Sequence, residues 1–183
     1  MIDWQEPVRE VERLAAVERS GLVGLSPQHA FDRLIEMAVE LTGAPRGVIA
    51  LVDSEHTRAF SAAGFPEGLP LFAPIDHSFC RFVVATGRPF IVEDSLHDPR
   101  TIGDPAIEAF GAVAWIGFPI RDAEGVVLGN FCLMDSEPRE WTARDIHCLG
   151  SLAESASAEI ALLQAKREIA ELRQELEDLR TGG

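Results

Sequence analysis

The residues best placed to do chemistry lie in "DHSFCRFVVATG", Asp76 to Gly87, where His77 and Cys80 stand three apart at the start of a short apolar helix. An imidazole and a thiol at that spacing suit a metal ion or a reactive sulfur. A zinc site needs four ligands, however, and no second pair follows at ligand spacing. His147 and Cys148 do not complete the set, because helix neighbours point about 100° apart. No metal site is therefore assigned. No catalytic set is assigned either, since the chain lacks a Gly-rich phosphate loop, H-E-x-x-H and G-x-S-x-G. Asp94, Asp98 and Asp104 could suggest a carboxylate cation site, but Asp98-Pro99 and Asp104-Pro105 are ordinary turn and N-cap dipeptides. His77 falls near the helix N-terminus, with Asp76 or Ser78 as N-cap, where its ring meets a polar ligand or solvent. Cys80, with Phe79, Val83 and Val84, reads as a small hydrophobe under a sheet. Trp115, Phe118 and Phe131 are either the walls of a small-molecule pocket or plain core, depending on strand register. The candidate pocket is thus His77, Cys80, Val84, Trp115, Phe118 and Phe131.

These residues must be held by the elements around them. Pro7 and the spacing of Val8, Val11, Leu14 and Ala15 predict an opening helix closed by Gly21 and Gly24. Ser26-Pro27 then caps a second helix with the stripe Phe31, Leu34, Ile35, Ala38 and Leu41, ended by Gly43 and Pro45. The run "GVIALVD" reads as a strand covered on both faces, "TRAFSAAG" as its hairpin partner, and residues 65 to 75, with three prolines, as a loop. "FIVED" gives a short strand, and a turn of helix follows Asp104-Pro105. "VAWIGFPIR" and "GVVLGNFCLMD" pair across Asp122 to Gly125. Thr142 and Asp145 open a capping box, and helical periodicity continues to about Arg180. The fold class is α+β around a mostly antiparallel sheet of about five to six strands, with a long C-terminal helix.

With 183 residues and 46% apolar content, the chain is expected to form one globular domain with appendages. A net charge of −14 without a basic stripe repels a nucleic-acid backbone. No apolar run reaches the length of a membrane span, and no leader pattern opens the chain, so a cytoplasmic location is expected. Cys80, Cys132 and Cys148 read as reduced thiols rather than a disulfide framework, with Cys132 in a strand and Cys148 on the last helix held apart.

The segments "AFDRLIEMAVELTGAPRGVIALVD", "HSFCRFVVATGRPFIVEDSLHDPR", "AVAWIGFPIRDAEGVVLGNFCLMDSEPREWT" and "LGSLAESASAEI" resemble, in order and spacing, the GAF domain of bacterial signalling proteins. The resemblance covers about residues 8 to 163. It implies a central antiparallel sheet with helices on one face and a ligand cavity on the other. Such modules sit N-terminal to histidine kinases, GGDEF-type cyclases or serine phosphatases, and no such output domain lies within this sequence. It also raises covalent bilin attachment at Cys80, but Arg81 follows the cysteine where the photoreceptor relatives have histidine. A cysteine relay like that of the free methionine sulfoxide reductases is raised too, but the segment after Ser95 carries no cysteine. The cofactor is left unassigned.

The last helix carries its own pattern. Leu162, Ile169 and Leu176 occupy one seam position, and Ala165, Leu172 and Leu179 the other, while Glu168 and Glu175 at g face Arg173 and Arg180 at e of a second chain. That pattern predicts a parallel homodimer. The expected division is an N-terminal helix over 1–24, a GAF domain over 25–157 and a coiled-coil signalling helix over 158–183. The expected function is a non-enzymatic sensor that binds a small molecule and relays through the dimeric helix. The alternatives are a ligand-free dimerisation module relaying a partner's signal and, further off, a methionine sulfoxide reductase-like enzyme.

Overall fold

A computed structural model describes residues 3–22, 29–66 and 72–181. The elements in chain order are helices α1 (Gln5–Val8), α2 (Val11–Ser20) and α3 (His29–Thr42), then strands β1 (Arg46–Val52), β2 (His56–Ala63) and β3 (Phe72–Pro74). A 3-10 turn, Ile75–His77, leads into α4 (Cys80–Thr86), β4 (Phe90–Val92), α5 (Pro105–Phe110), β5 (Ala114–Arg121), β6 (Val127–Asp135) and α6 (Ala143–Thr181). The strands form one sheet in the order β3-β2-β1-β6-β5-β4, antiparallel throughout. The expected fold class stands. No helix among the described residues is long and apolar enough to cross a membrane.

The pleat sends alternate side chains to opposite faces, and each face has its own core. On one face Ile49, Leu51, Ile116, Leu128, Phe131 and Leu133 pack against α2, α3 and α6. Phe31, Ile35 and Ala38 supply the inner stripe of α3, and Leu149, Leu152, Ala153, Ala156 and Ile160 that of α6. Each fully buried aliphatic side chain in that layer contributes about 1.5–3 kcal/mol. The capping box that starts α6 closes as expected, with the Asp145 amide donating to Thr142 Oγ1 at 3.2 Å and the Thr142 amide donating to Asp145 Oδ2 at 3.1 Å. On the other face Val48, Val52, Trp115, Cys132 and Met134 meet α4, Val8 of α1 and Ala106 of α5.

Several sequence expectations are corrected. The opening helix is two helices. Their buried faces are Val8 on α1 and Arg13, Ala16, Val17 and Ser20 on α2, whereas Val11 is 80% exposed. The chain turns at Arg9-Glu10, and the Arg13 guanidinium satisfies the Val8 carbonyl of α1 and the Val52 carbonyl at the end of β1, 2.6–2.9 Å away. Leu41 is exposed, because the α3 stripe closes one turn earlier at Ala38. The segment 65 to 75 contains strand β3, whose three residues pair with His56 to Arg58 although one of them is Pro74; an edge strand tolerates the missing donor. The Ser26-Pro27 cap and Gly24 lie outside the described residues.

Candidate functional site

The cavity face of the sheet is roofed by α4 and α5. Helix α4 begins at Cys80, where the backbone N–H is accepted by Ser78 Oγ at 3.3 Å, and it ends at Gly87, whose φ of +61° needs the left-handed conformation. Helix α5 is capped as the Asp-Pro dipeptide predicts, the Ala106 amide donating to Asp104 Oδ1 at 3.0 Å. The same carboxylate receives the Arg81 guanidinium, which also donates to the Ser78 carbonyl at 2.7 Å and lies over the rings of Trp4 and Phe82. Burial lowers the Arg81 pKa while Asp104 opposes the shift. This ion pair ties the two roof helices together.

Between roof and sheet lies a cavity of about 30 Å³ lined by Val48, Ala50, Thr57, Ala59, Phe65, Ser78, Phe79, Cys80, Ala106, Phe110, Ala112, Trp115, Cys132 and Met134. Its wall is mostly apolar, with a few polar groups. Phe79, Phe90 and Trp115 form an aromatic cluster beside it, with ring centroids 6.0–6.2 Å apart. Thr57 is 7% exposed and its Oγ1 has no hydrogen-bond partner among the described residues. Asn130 is wholly buried on the same face of β6 as Cys132, and among the described residues neither Oδ1 nor Nδ2 of its amide has a partner within hydrogen-bond distance. An orphan buried polar group costs about 1–3 kcal/mol.

The two buried cysteines meet at this wall. Hydrogen bonding from Cys132 draws the Cys80 thiol below its usual range, with Ser78 adding to the effect, whereas burial pushes Cys132 up. Cys148 stands apart on α6, on the far side of the sheet. The expected separation of Cys132 from Cys148 therefore holds, while the proximity of Cys80 to Cys132, which sequence spacing does not reveal, is new.

Of the six residues expected to line a pocket, Cys80 and Trp115 do so. Val84 is buried in the same core, outside the lining, and His77 is half exposed in the 3-10 turn with Nε2 4.0 Å from Asp76. Phe118 and Phe131 occupy the opposite face, Phe131 wholly buried and Phe118 packed toward Gly150 of α6. Register explains this outcome. Trp115 lies opposite Met134 while Phe118 lies opposite Phe131, an odd number of residues further along both strands. Thr57, Asn130 and Met134 were missed. The signal for two of them was present, for Asn130, Cys132 and Met134 alternate along β6 and must share a face. Asp94 and Asp98 serve as caps, accepting from the backbone amides of Leu96 and Arg100.

Helix α6 leaves the domain beyond Arg167, which donates to the Ser20 and Gly21 carbonyls at 3.1 and 2.8 Å. Leu162, Ala165, Ile169, Leu172, Leu176 and Leu179 are all exposed along one stripe, as are Glu168, Arg173, Glu175 and Arg180 beside it.

The family model for the GAF domain matches residues 26–160. A cyclic di-GMP phosphodiesterase of Pseudomonas aeruginosa is 30% identical over 168 residues, a match that covers 90% of this chain and 28% of the longer relative. Among solved structures, the blue-light absorbing form of the Thermosynechococcus elongatus PixJ GAF domain superposes with a TM-score of 0.60 at 16% identity, over 90% of this chain and 97% of that one. Free methionine-R-sulfoxide reductase from Neisseria meningitidis superposes equally well, with a TM-score of 0.60 at 16% identity over 83% and 89% of the two chains.

Proposed function

The chain belongs to the GAF domain family, and from that premise we propose that it is a non-enzymatic regulatory module whose cavity holds a small ligand and whose α6 carries the outcome to a second copy and onward. The observation that carries this reading is the continuity of α6. One helix of 39 residues covers the sheet face opposite the cavity with its first half and presents an unpartnered apolar stripe with its second. A ligand that repacks β6 or β5 presses on the first half, and a rigid helix delivers the shift to the stripe. In the parallel pairing, Glu168 and Glu175 meet Arg173 and Arg180 of the other chain, and this complementarity favours that orientation.

Ligand size is constrained by the cavity. At about 30 Å³ it suits a group of a few atoms, whereas pockets for larger organic ligands run to about 300–1,000 Å³. The phosphodiesterase relative extends far beyond the matched region, so in an arrangement of that kind the present module would regulate an activity located elsewhere. The non-enzymatic reading against a reductase is supported by the segment 95–111, which carries no cysteine that could act on a substrate.

The test is geometric. A Leu172→Cys protein, oxidised mildly, is expected to cross-link chain to chain, and sedimentation should show a dimer that dissociates in the Ile169→Lys, Leu176→Lys double variant. A parent protein that sediments as a monomer at tens of micromolar, with no cross-link, would sink the relay.

A further inference from the structure

We propose that the cavity is a binding site for a soft monovalent metal cation, cuprous copper, held by the sulfur atoms of Cys80, Cys132 and Met134. Cys132 and Met134 stand two apart on β6, so the pleat turns both toward the cavity, and both line it. Cys80 enters from the first residue of α4 and lines the same wall. Three sulfur-bearing side chains from two elements thus border one space of about 30 Å³, a size that accommodates a dehydrated ion.

The donor chemistry selects the ion. No carboxylate or imidazole lines this cavity, and no three His, Cys, Asp or Glu residues converge anywhere among the described residues. Magnesium and calcium therefore find no oxygen ligands of the kind they require, and zinc finds two thiolates where a closed site takes four ligands of thiolate, imidazole or carboxylate type. Thiolate and thioether sulfurs are the set that favours copper in its lower oxidation state. On binding, the metal displaces both thiol protons. One cuprous ion and two thiols give a bis-thiolate complex of net charge −1 and two protons released to solvent, with no change in oxidation state.

One further observation fits that product. The orphaned Nδ2 of Asn130 lies beside both cysteines and would gain a thiolate acceptor, which accounts for a wholly buried amide that otherwise has no partner. The site depends on the sensory reading only for its consequence, that filling it would repack β6 beneath α6.

The experiment is a competition, run anaerobically on the reduced chain of 183 residues against the coloured cuprous bicinchoninate complex. One equivalent of copper should be withdrawn. Cys80→Ser and Cys132→Ser should each abolish the withdrawal, Met134→Leu should weaken it roughly tenfold, and Cys148→Ser should leave it unchanged. X-ray absorption on the copper-loaded parent should show a first shell of sulfur alone, and this readout stands even if a serine variant misfolds. Failure to withdraw copper, a shell of nitrogen or oxygen, or uptake that survives in the Cys80→Ser, Cys132→Ser double variant would overturn the assignment. An organic ligand retained in native mass spectrometry by a protein that refuses copper would likewise overturn it while leaving the sensory reading intact. Copper uptake by a strictly monomeric chain would support the site and remove the relay instead.

Discussion

The two faces of the sheet are made by the same strands and differ in kind. Under α2, α3 and α6 the layer is continuous and apolar, with Ile49, Ile116, Leu128, Phe131 and Leu133 wholly buried. Under α4 and α5 the layer holds a void, two thiols, a thioether, an unpartnered hydroxyl and an unpartnered amide. Strand β6 carries both programmes in alternation, with Phe131 and Leu133 on one side and Asn130, Cys132 and Met134 on the other. The first face is packed like a crystal of hydrocarbons, whereas the second keeps imperfections that cost stability. The contrast is sharp because a single-residue step along β6 crosses from one to the other.

Adjacent residues give the largest expected difference. Leu133→Ala, on the packed face, should lower stability by about 3–5 kcal/mol, because neighbours fixed on three helices cannot collapse into the space. Met134→Ala should cost about 2 kcal/mol, since its side chain already borders a void and loses fewer contacts. Urea unfolding with an unchanged slope would measure both. Equal losses would break the distinction between the faces.

A second, smaller effect has the opposite sign. Replacing Asn130 by the near-isosteric leucine removes an amide that has lost its water and gained no partner, so Asn130→Leu should raise stability by about 1–2 kcal/mol. The rise would appear as a higher melting temperature. A marked fall would mean that the amide is satisfied in the free protein, and the cavity face would then be an ordinary core.

Much of the fold was legible because its signals are local. Periodicity and caps marked α3, α5 and α6, and turn residues marked the β5–β6 hairpin. What was not legible depends on register and on contacts between distant segments. A single sequence does not show that Trp115 and Phe118 point to opposite faces, and two of the six expected pocket residues, Phe118 and Phe131, fall on the other face for that reason. The same limit hid the meeting of Cys80 with Cys132, which joins a helix to a strand 52 residues later. The break between α1 and α2 was hidden for another reason, since a buried arginine serving sheet carbonyls reads in sequence as an ordinary exposed charge. Pattern reading is strong where one element decides its own shape and weak where two must agree.

The smallest effect is a difference in how the faces respond to acid. Hydrogen bonds from Arg100 hold the Asp98 carboxyl below its usual range against slight burial. At Asp53, burial alone would raise the pKa, but hydrogen bonds from Arg58 and from the Glu55 and His56 amides together outweigh it and keep the carboxyl low. For both groups the folded state favours the ionised form. Their stabilisation is therefore present above the ordinary carboxylate value of about 4 and is lost as the pH falls through the lower folded value. Each is partly exposed, so the loss should stay under about 1 kcal/mol and shrink further in salt. Asp53 fixes the β1–β2 turn that leads to Thr57, and Asp98 fixes the loop between β4 and α5 beside the cavity roof, where Thr101 and Arg100 tie that loop to the Ser95 and Ile91 carbonyls. The buried half of α6 rests on apolar contacts that acid leaves alone. Amide hydrogen exchange, corrected for intrinsic rates, should therefore accelerate over residues 53–58 and 94–104 between about pH 5 and pH 3 while Leu149 to Ile160 stays protected. Simultaneous loss of protection in both regions would mean that the sheet opens as one unit, and that the cavity side has no softness of its own through which a ligand could act.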